Sequence, residues 1–292
     1  MHADQLAVDA GTVRALVADQ FPHWRALPVR RVDSAGTVNA IFRLGNELAA
    51  RLPLRADDPA VVAAALGREA AAAAELAGVT PWPSPRVLAI GEPGRGYPLP
   101  WSIQTWLDGT VAWDRALTED FAADLAGFVR GLRAVPTRGR VFTGPGRGGH
   151  LTSHDDWMAQ CLRRSTGLLD VGRLRSLWGR LRTLPRETPD VMSHADLIPG
   201  NVLLGDDGRL AGVLDVGGFG PADPALDLIP AWTMLDAGPR RRFRAELEAS
   251  DLDWERSRAW ALVQALGLVW YYRTTNPRMH ALGLRILDRL GV

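Results

Sequence analysis

The chain has 292 residues, 47% apolar and 23% charged, enough to bury a large core in one domain or two lobes. A formal net charge of +1 gives no basis for a nucleic-acid or membrane-surface partner. All 34 basic residues are arginine, and a single cysteine, Cys161, excludes an internal disulfide and fits a reducing compartment.

In chain order, the N-terminus lacks a basic start followed by an apolar run, so no signal peptide is expected. The segment Asp33 to Asn39 holds one glycine, Gly36, and reads as a loop between two strands. Ile41 to Leu44, the turn Gly45-Asn46 and Glu47 to Leu52 read as a hairpin, with Arg51 on the return strand and Pro53 ending it. Asp57-Asp58-Pro59 opens a helix that Gly78 closes. Its apolar stripe, Val62, Leu66, Ala73 and Leu76, also contains Glu69. A carboxylate on an inward face is costly unless paired, and Arg51 is its natural partner; two separate surface charges are the plainer alternative. After the loop Gly91 to Pro100, Trp101 to Leu107 alternates like a strand and stops at Asp108-Gly109.

Beyond this point the pattern turns helical. Leu117 to Leu132 carries Phe121, Leu125, Phe128 and Leu132 on one stripe, and Trp157 to Leu184 reads as one or two helices. Arg138 to Gly149, rich in glycine and arginine, is predicted to be a mobile loop. The longest strongly apolar stretch, Ala259 to Tyr272, carries Gln264 and is too short to span a bilayer, so a cytoplasmic protein is expected. A β-rich first third followed by a helical remainder predicts an α+β protein of two lobes, a small β-rich lobe over 1–107 and a mainly helical lobe over 108–292.

The stretch from Ser193 to Asn201 decides the chemistry. It reads Ser-His-Ala-Asp-Leu-Ile-Pro-Gly-Asn, and Leu214-Asp215-Val216-Gly217 follows. Asn201 to Leu204 and Leu210 to Leu214 read as strands joined by the turn Gly205 to Gly208, which puts Asn201 opposite about Val213 and Asp215 at the same open end. Each of these residues alone is ordinary turn chemistry. Together they supply what phosphoryl transfer needs: a carboxylate, Asp196, to take a hydroxyl proton, and two oxygen ligands, Asn201 and Asp215, for Mg²⁺.

The same run resembles the catalytic and metal loops of aminoglycoside and macrolide phosphotransferases, antibiotic kinases with a protein-kinase-like fold. Their usual His-Gly-Asp-x-x-x-x-Asn is matched by His194, Asp196 and Asn201, and their metal-loop aspartate by Asp215. Ala195 stands where glycine is common and Val216 where an aromatic residue is common. Alanine at 195 carries strain if a left-handed backbone is required there. Asp223-Pro224-Ala225-Leu226-Asp227-Leu228 also matches a family run, and Asp223 with Pro224 reads as a cap and first-turn proline opening a helix. Both aspartates there read as structural braces.

The resemblance implies a phosphoryl donor, ATP or GTP, with Mg²⁺, and a small-molecule hydroxyl acceptor such as an antibiotic. With no lysine present, Arg51 braced by Glu69 takes the place of the strand lysine that holds the α- and β-phosphates. Ser34 and Thr37 hydroxyls, or backbone amides around Gly36, could meet phosphates, and a plain hairpin turn is the other reading. Backbone groups of Thr105, Trp106 and Leu107 fall at the interlobe hinge that would hold the purine edge. His194 would orient the catalytic loop through hydrogen bonds. A P-loop is excluded, because its lysine is missing.

Residues 230–292 hold ten arginines against seven acidic residues, a poor match to a polycation, although Asp236 stays open for a ligand amine. Trp232, Trp254, Trp260, Trp270, Tyr271 and Tyr272 read mostly as core, with room for one or two on an apolar wall. That tilts the acceptor toward a macrolide or another bulky, weakly charged molecule. A metabolite kinase of the same architecture and a non-catalytic nucleotide-binding protein are the alternatives, and either a monomer or a homodimer fits.

Overall fold

The computed structural model describes residues 6–32, 38–55 and 57–292. Asp9 caps helix α1 (Ala10–Gln20), its carboxylate accepting the Thr12 N–H at 2.7 Å. Strands β1 (Val29–Val32), β2 (Asn39–Leu44), β3 (Leu48–Pro53), β4 (Val87–Gly91) and β5 (Trp101–Thr105) then build an antiparallel sheet in the order β1-β2-β3-β5-β4. The β2–β3 hairpin is the one expected from the sequence, with Leu44 paired to Leu48 across the turn. Period-two alternation sends Ala40, Phe42 and Leu44 of β2 into the core. On β3, Ala50 and Leu52 are buried while Arg51, between them, points to the other face.

Helix α2 (Pro59–Leu76) starts where the sequence reading put it, with Asp58 as cap and Pro59 at its first position. Val62 and Leu66 enter the core of the small lobe, beside Phe42, Leu52, Trp101 and Ile103. Ala72, Ala73 and Leu76, at the other end, enter the core of the C-terminal part. Burial of a large apolar side chain is worth about 1.5–3 kcal/mol, so anchors in both cores hold this helix to both lobes.

The C-terminal part contains β6 (Thr110–Val111), α3 (Glu119–Ala134), α4 (Asp155–Arg164), α5 (Val171–Leu181), β7 (Val191–Ser193), β8 (Val202–Leu204), β9 (Leu210–Val213) and β10 (Gly220–Ala222). It continues through α6 (Pro230–Thr233), α7 (Ala237–Glu246), α8 (Asp251–Tyr271) and α9 (Pro277–Leu290). The expected stripe of α3, Phe121, Leu125, Phe128 and Leu132, is fully buried. Helix α8 packs against α4, α5 and α9 and is buried almost all round. The short pairs β6–β8 and β10–β7 frame the segment from 191 to 222. Among the described residues, no helix is long and apolar enough to cross a membrane.

Two expectations are corrected. The segment from Arg138 to Gly149 has no regular structure, yet it is tied down along its length. Arg140 grips Glu75 at 2.6 and 2.9 Å, the Phe142 N–H donates to Asp190 at 2.6 Å, and the Gly148 carbonyl accepts the Asp223 N–H at 2.7 Å. Arg140 is here a cross-link between this segment and α2. Asp223, in turn, opens no α-helix: a 3-10 turn over Leu226–Leu228 follows it, and α6 begins only at Pro230. Its carboxylate is fully buried, where it pairs with Arg256 and accepts the Trp260 indole N–H at 2.9 Å. The carboxylate serves both levels: Oδ1 accepts the Ala225 N–H at 3.0 Å in a local turn, while Oδ2 takes Arg256 and Trp260. Removing one partner of such a pair leaves a buried charge, so Arg256→Met is expected to destabilise the fold by about 3–5 kcal/mol in urea unfolding. A loss under about 1 kcal/mol would contradict the brace assigned to Asp223.

Candidate active site

Strand β7 ends at Ser193, and the chain turns sharply before β8. Asp227, itself buried, shapes that turn: its two carboxylate oxygens accept the His194 N–H at 3.0 Å and the Ala195 N–H at 3.2 Å. Ala195 is thereby held at φ +70°, the left-handed region that favours glycine. His194 is fully buried with Nε2 at 2.9 Å from the Leu214 carbonyl, so Nε2 carries the hydrogen and Nδ1 accepts the Asp196 N–H at 3.3 Å. One imidazole therefore joins the turn before β8 to the chain after β9.

Asp196 is 40% exposed at its side chain, within reach of a ligand. The Asn201 amide nitrogen donates to the Asp196 carbonyl at 2.9 Å and to its Oδ2 at 3.2 Å, which turns the amide oxygen of Asn201 away from Asp196. A bulge between Leu203 and Leu204 shifts the hairpin register by one residue, so Val202 pairs with Val213. Asn201 then faces Leu214, whose N–H donates to the Asn201 carbonyl at 2.7 Å, rather than Val213 as the sequence count suggested. Asp215 comes next, half-exposed and itself left-handed at φ +58°.

Arg51 reaches this point from the small lobe. Its guanidinium pairs with Glu69 on α2 and also donates to Asp215 Oδ1 at 3.2 Å. The close approach of α2 depends on Gly217, where a Cβ would lie 3.0 Å from Glu69 Cγ. Arg51, Glu69, Asp215, Asn201 and Asp196 thus form a continuous row across the junction of the lobes, knit by the contacts just given and by the Leu214–Asn201 backbone bond. Among the described residues, no three His, Cys, Asp or Glu side chains gather into a metal site. The Asn201 amide oxygen and the Asp215 carboxylate are nonetheless the hard donors that suit an ion completing its shell with water and phosphate oxygens.

The remaining expected residues lie elsewhere. At the end of β5, the Thr105 N–H donates to the Arg86 carbonyl at 3.0 Å and the Trp106 N–H to the Glu47 carbonyl at 2.6 Å, so Leu107 follows as the next main-chain donor. The Trp106 ring lies under Arg43 at 4.5 Å and donates its indole N–H to Asp108 at 3.1 Å. Ser34, Gly36 and Thr37 fall outside the described residues. Asp236 pairs with Arg289 at 2.8 Å through Oδ1, with its side chain 75% exposed.

Sequence reading missed two residues that touch Asp196. Arg147 donates to its Oδ1 at 2.7 Å, and Gln264, from α8, donates to the same oxygen at 3.4 Å. Arg147 sits in the aperiodic glycine-arginine segment, which offers no signal. Gln264 had one: it is the lone amide in an apolar helical run. His154, buried near the same loop, is held below the ordinary imidazole range chiefly by burial, with the Arg147 charge adding to the shift.

The phosphotransferase enzyme family, as a sequence model, matches residues 29–260. The chain belongs to this family. No curated protein sequence matches it. Among solved structures, the GDP complex of wild-type aminoglycoside 2'-phosphotransferase-IIIa is similar at 18% identity and a TM-score of 0.76, covering 97% of this chain and 98% of that one. The macrolide 2'-phosphotransferase MphH from Brachybacterium faecium, an apoenzyme, is also similar at 18% identity and a TM-score of 0.63, over 93% and 97% of the two chains. A streptomycin–ATP ternary complex of APH(2")-IIa aligns at 15% identity and a TM-score of 0.62, over 94% and 99%. At such identities the likeness establishes the fold: a kinase-like fold with a small antiparallel-sheet lobe and a mostly helical C-terminal part, as the sequence predicted.

In this phosphotransferase the left-handed Ala195 is a point of strain. A left-handed L-residue costs about 1–2 kcal/mol, part of which glycine returns as chain entropy. Ala195→Gly is expected to raise stability by up to about 1 kcal/mol in thermal or urea unfolding. A clear destabilisation would mean that the turn does not adopt this conformation in solution.

Proposed function

We propose that the chain is a magnesium- and nucleotide-dependent O-phosphotransferase that moves the γ-phosphoryl of ATP or GTP to a hydroxyl of a small molecule, most simply an antibiotic. The observation that carries this reading is the contact of the Asp196 carboxylate with the Asn201 amide, alongside an Asp215 that Arg51 touches from the opposite lobe. Solved structures of the same fold bear the names of aminoglycoside and macrolide phosphotransferases, some with GDP, ATP, kanamycin or streptomycin bound. That supports a nucleotide donor and an antibiotic acceptor here.

Each residue then has a role that its surroundings explain. Asp196 is exposed enough to meet an acceptor hydroxyl, orient it and take its proton. Asn201 and Asp215 would hold Mg²⁺, which when bound neutralises charge on the nucleotide phosphates. Arg51, held by Glu69 with no lysine available, supplies a permanently positive fork for the α- and β-phosphates. His194 works through the backbone, fixing the catalytic turn against the Leu214 carbonyl. The nucleotide-binding lobe runs over 1–107 and the purine edge meets the hinge at Thr105 to Leu107, where the Trp106 N–H is already taken by Glu47.

The acceptor is favoured to be weakly charged. The aromatic side chains of Trp157, Trp270 and Tyr271 form a cluster that reaches the surface. A kinase of a metabolite hydroxyl is the second reading, since the catalytic row would serve it equally. Cells expressing the chain, screened against an antibiotic panel with nucleotide consumption measured on purified protein, separate the two. With the best acceptor found, Asp196→Ala should lower turnover by at least about 10²-fold. Wild-type turnover in that variant would refute the base assignment.

A further inference from the structure

The two oxygens of the Asp196 carboxylate face different neighbours. Oδ2 meets the Asn201 amide nitrogen, on the side of the candidate metal ligands. Oδ1 meets Arg147 at 2.7 Å and Gln264 at 3.4 Å, groups from the 135–150 segment and from α8. An acceptor hydroxyl has to come within hydrogen-bond reach of this carboxylate, about 2.6–3.2 Å, and the Oδ2 side belongs to Asn201 and the nucleotide. It therefore arrives at Oδ1, beside a guanidinium.

The guanidinium and the amide are each incompletely used. Arg147 Nη1 and Gln264 Oε1 are buried and lack a hydrogen-bond partner, a costly state for a charged donor and an amide oxygen. The two side chains together thus hold one unsatisfied donor, on a cation, and one unsatisfied neutral acceptor, both sealed from solvent until a side chain turns. The Arg147 backbone is fixed nearby, because the Gly148 carbonyl accepts the Asp223 N–H and Gly148 packs so tightly that a Cβ would lie 2.9 Å from both Ala222 and Phe142. The charge cannot leave the site by a simple loop swing. No carboxylate besides Asp196 pairs with Arg147 among the described residues.

We propose that Arg147 and Gln264 are the specificity-determining pair of the acceptor site, and that they select a hydroxyl flanked by an oxygen function, neutral or anionic, over one flanked by an ammonium. When the acceptor hydroxyl takes its place at Oδ1, Arg147 turns its free edge to the neighbouring oxygen of the ligand and Gln264 Oε1 accepts from a ligand hydroxyl. A protonated amine at the same position meets a fixed like charge at short range in a partly desolvated site. The selection is against the polycationic aminoglycosides that several proteins of this fold are named for. This deepens the reading of the chain as a small-molecule kinase and rests on it.

The test uses the full-length protein with magnesium nucleotide and matched acceptors: kanamycin against its counterpart with hydroxyls in place of amines, and amino sugars against the corresponding neutral sugars and uronic acids. In the wild type the oxygen-flanked member of each pair should have the higher kcat/KM, by about tenfold or more, with the difference mainly in KM. Arg147→Met should collapse that ratio toward one, raising KM for the neutral and anionic acceptors while improving relative use of the amines. Gln264→Glu, which places a carboxylate beside the same oxygen, should shift the ratio further toward the amines. An Arg147 that merely braced Asp196 would lower kcat for every acceptor alike and leave the ratio unchanged, and that outcome overturns the proposal. So does a wild-type preference for the amine-bearing members, or binding of magnesium nucleotide with no phosphorylation of any member. Failure to bind magnesium nucleotide at all would instead overturn the kinase reading beneath it.

Discussion

The active-site architecture depends on one buried carboxylate. Asp227 accepts two consecutive main-chain N–H groups, from His194 and Ala195, and so fixes the backbone just before Asp196. Hydrogen bonds to an ionised acceptor are among the strongest available in a protein, and these sit where water does not compete. They sustain the left-handed Ala195 against its steric cost. His194 then carries the constraint to the Leu214 carbonyl, next to Asp215. Loosening Asp227 would release Asp196 and Asp215 together.

A second layer of charge holds the lobes in register. Arg51 on the sheet, Glu69 on α2 and Asp215 on the metal loop are linked through one guanidinium. Because α2 also buries apolar side chains in both cores, the cation cannot drift from the cleft without repacking the helix. An arginine suits this junction, since its planar fork serves two carboxylates at once and stays charged. Any ligand that draws Asp215 away must be cationic, or must carry a cation with it. On the proposed reading a metal–nucleotide pair would meet that condition, with Asp215 among the residues that would hold the metal and Arg51 facing phosphate oxygens.

Much of this was legible in the sequence where the signal is local. The run from Ser193 to Asn201, the hairpin with Arg51 and the helix stripe holding Glu69 depend on neighbours a few residues apart, and the structure brings Arg51 and Glu69 into contact. The register at Asn201 was missed by one residue because a bulge leaves no mark in composition. Asp223 and Pro224 carry a helix-start pattern, and Asp223 Oδ1 does accept the local Ala225 N–H, but only a 3-10 turn follows, and Arg256 and Trp260, distant in sequence, take Oδ2. Arg147 was invisible for the same reason: its partner lies 49 residues away, in a segment whose glycines and arginines suggested mobility. In both cases a long-range ion pair is present that local pattern does not announce, and one of them lies at the heart of the site.

The central claim is that Asn201 and Asp215 form, with Arg51, a single receptor for a metal-bound nucleotide. Calorimetric titration of ATP and GTP into the protein, with and without magnesium, measures this directly when repeated on Asp215→Asn. The expected result is that magnesium tightens binding of at least one nucleotide by about tenfold or more in the wild type and does little in the variant. Equal tightening in both proteins, or none in the wild type, would contradict it.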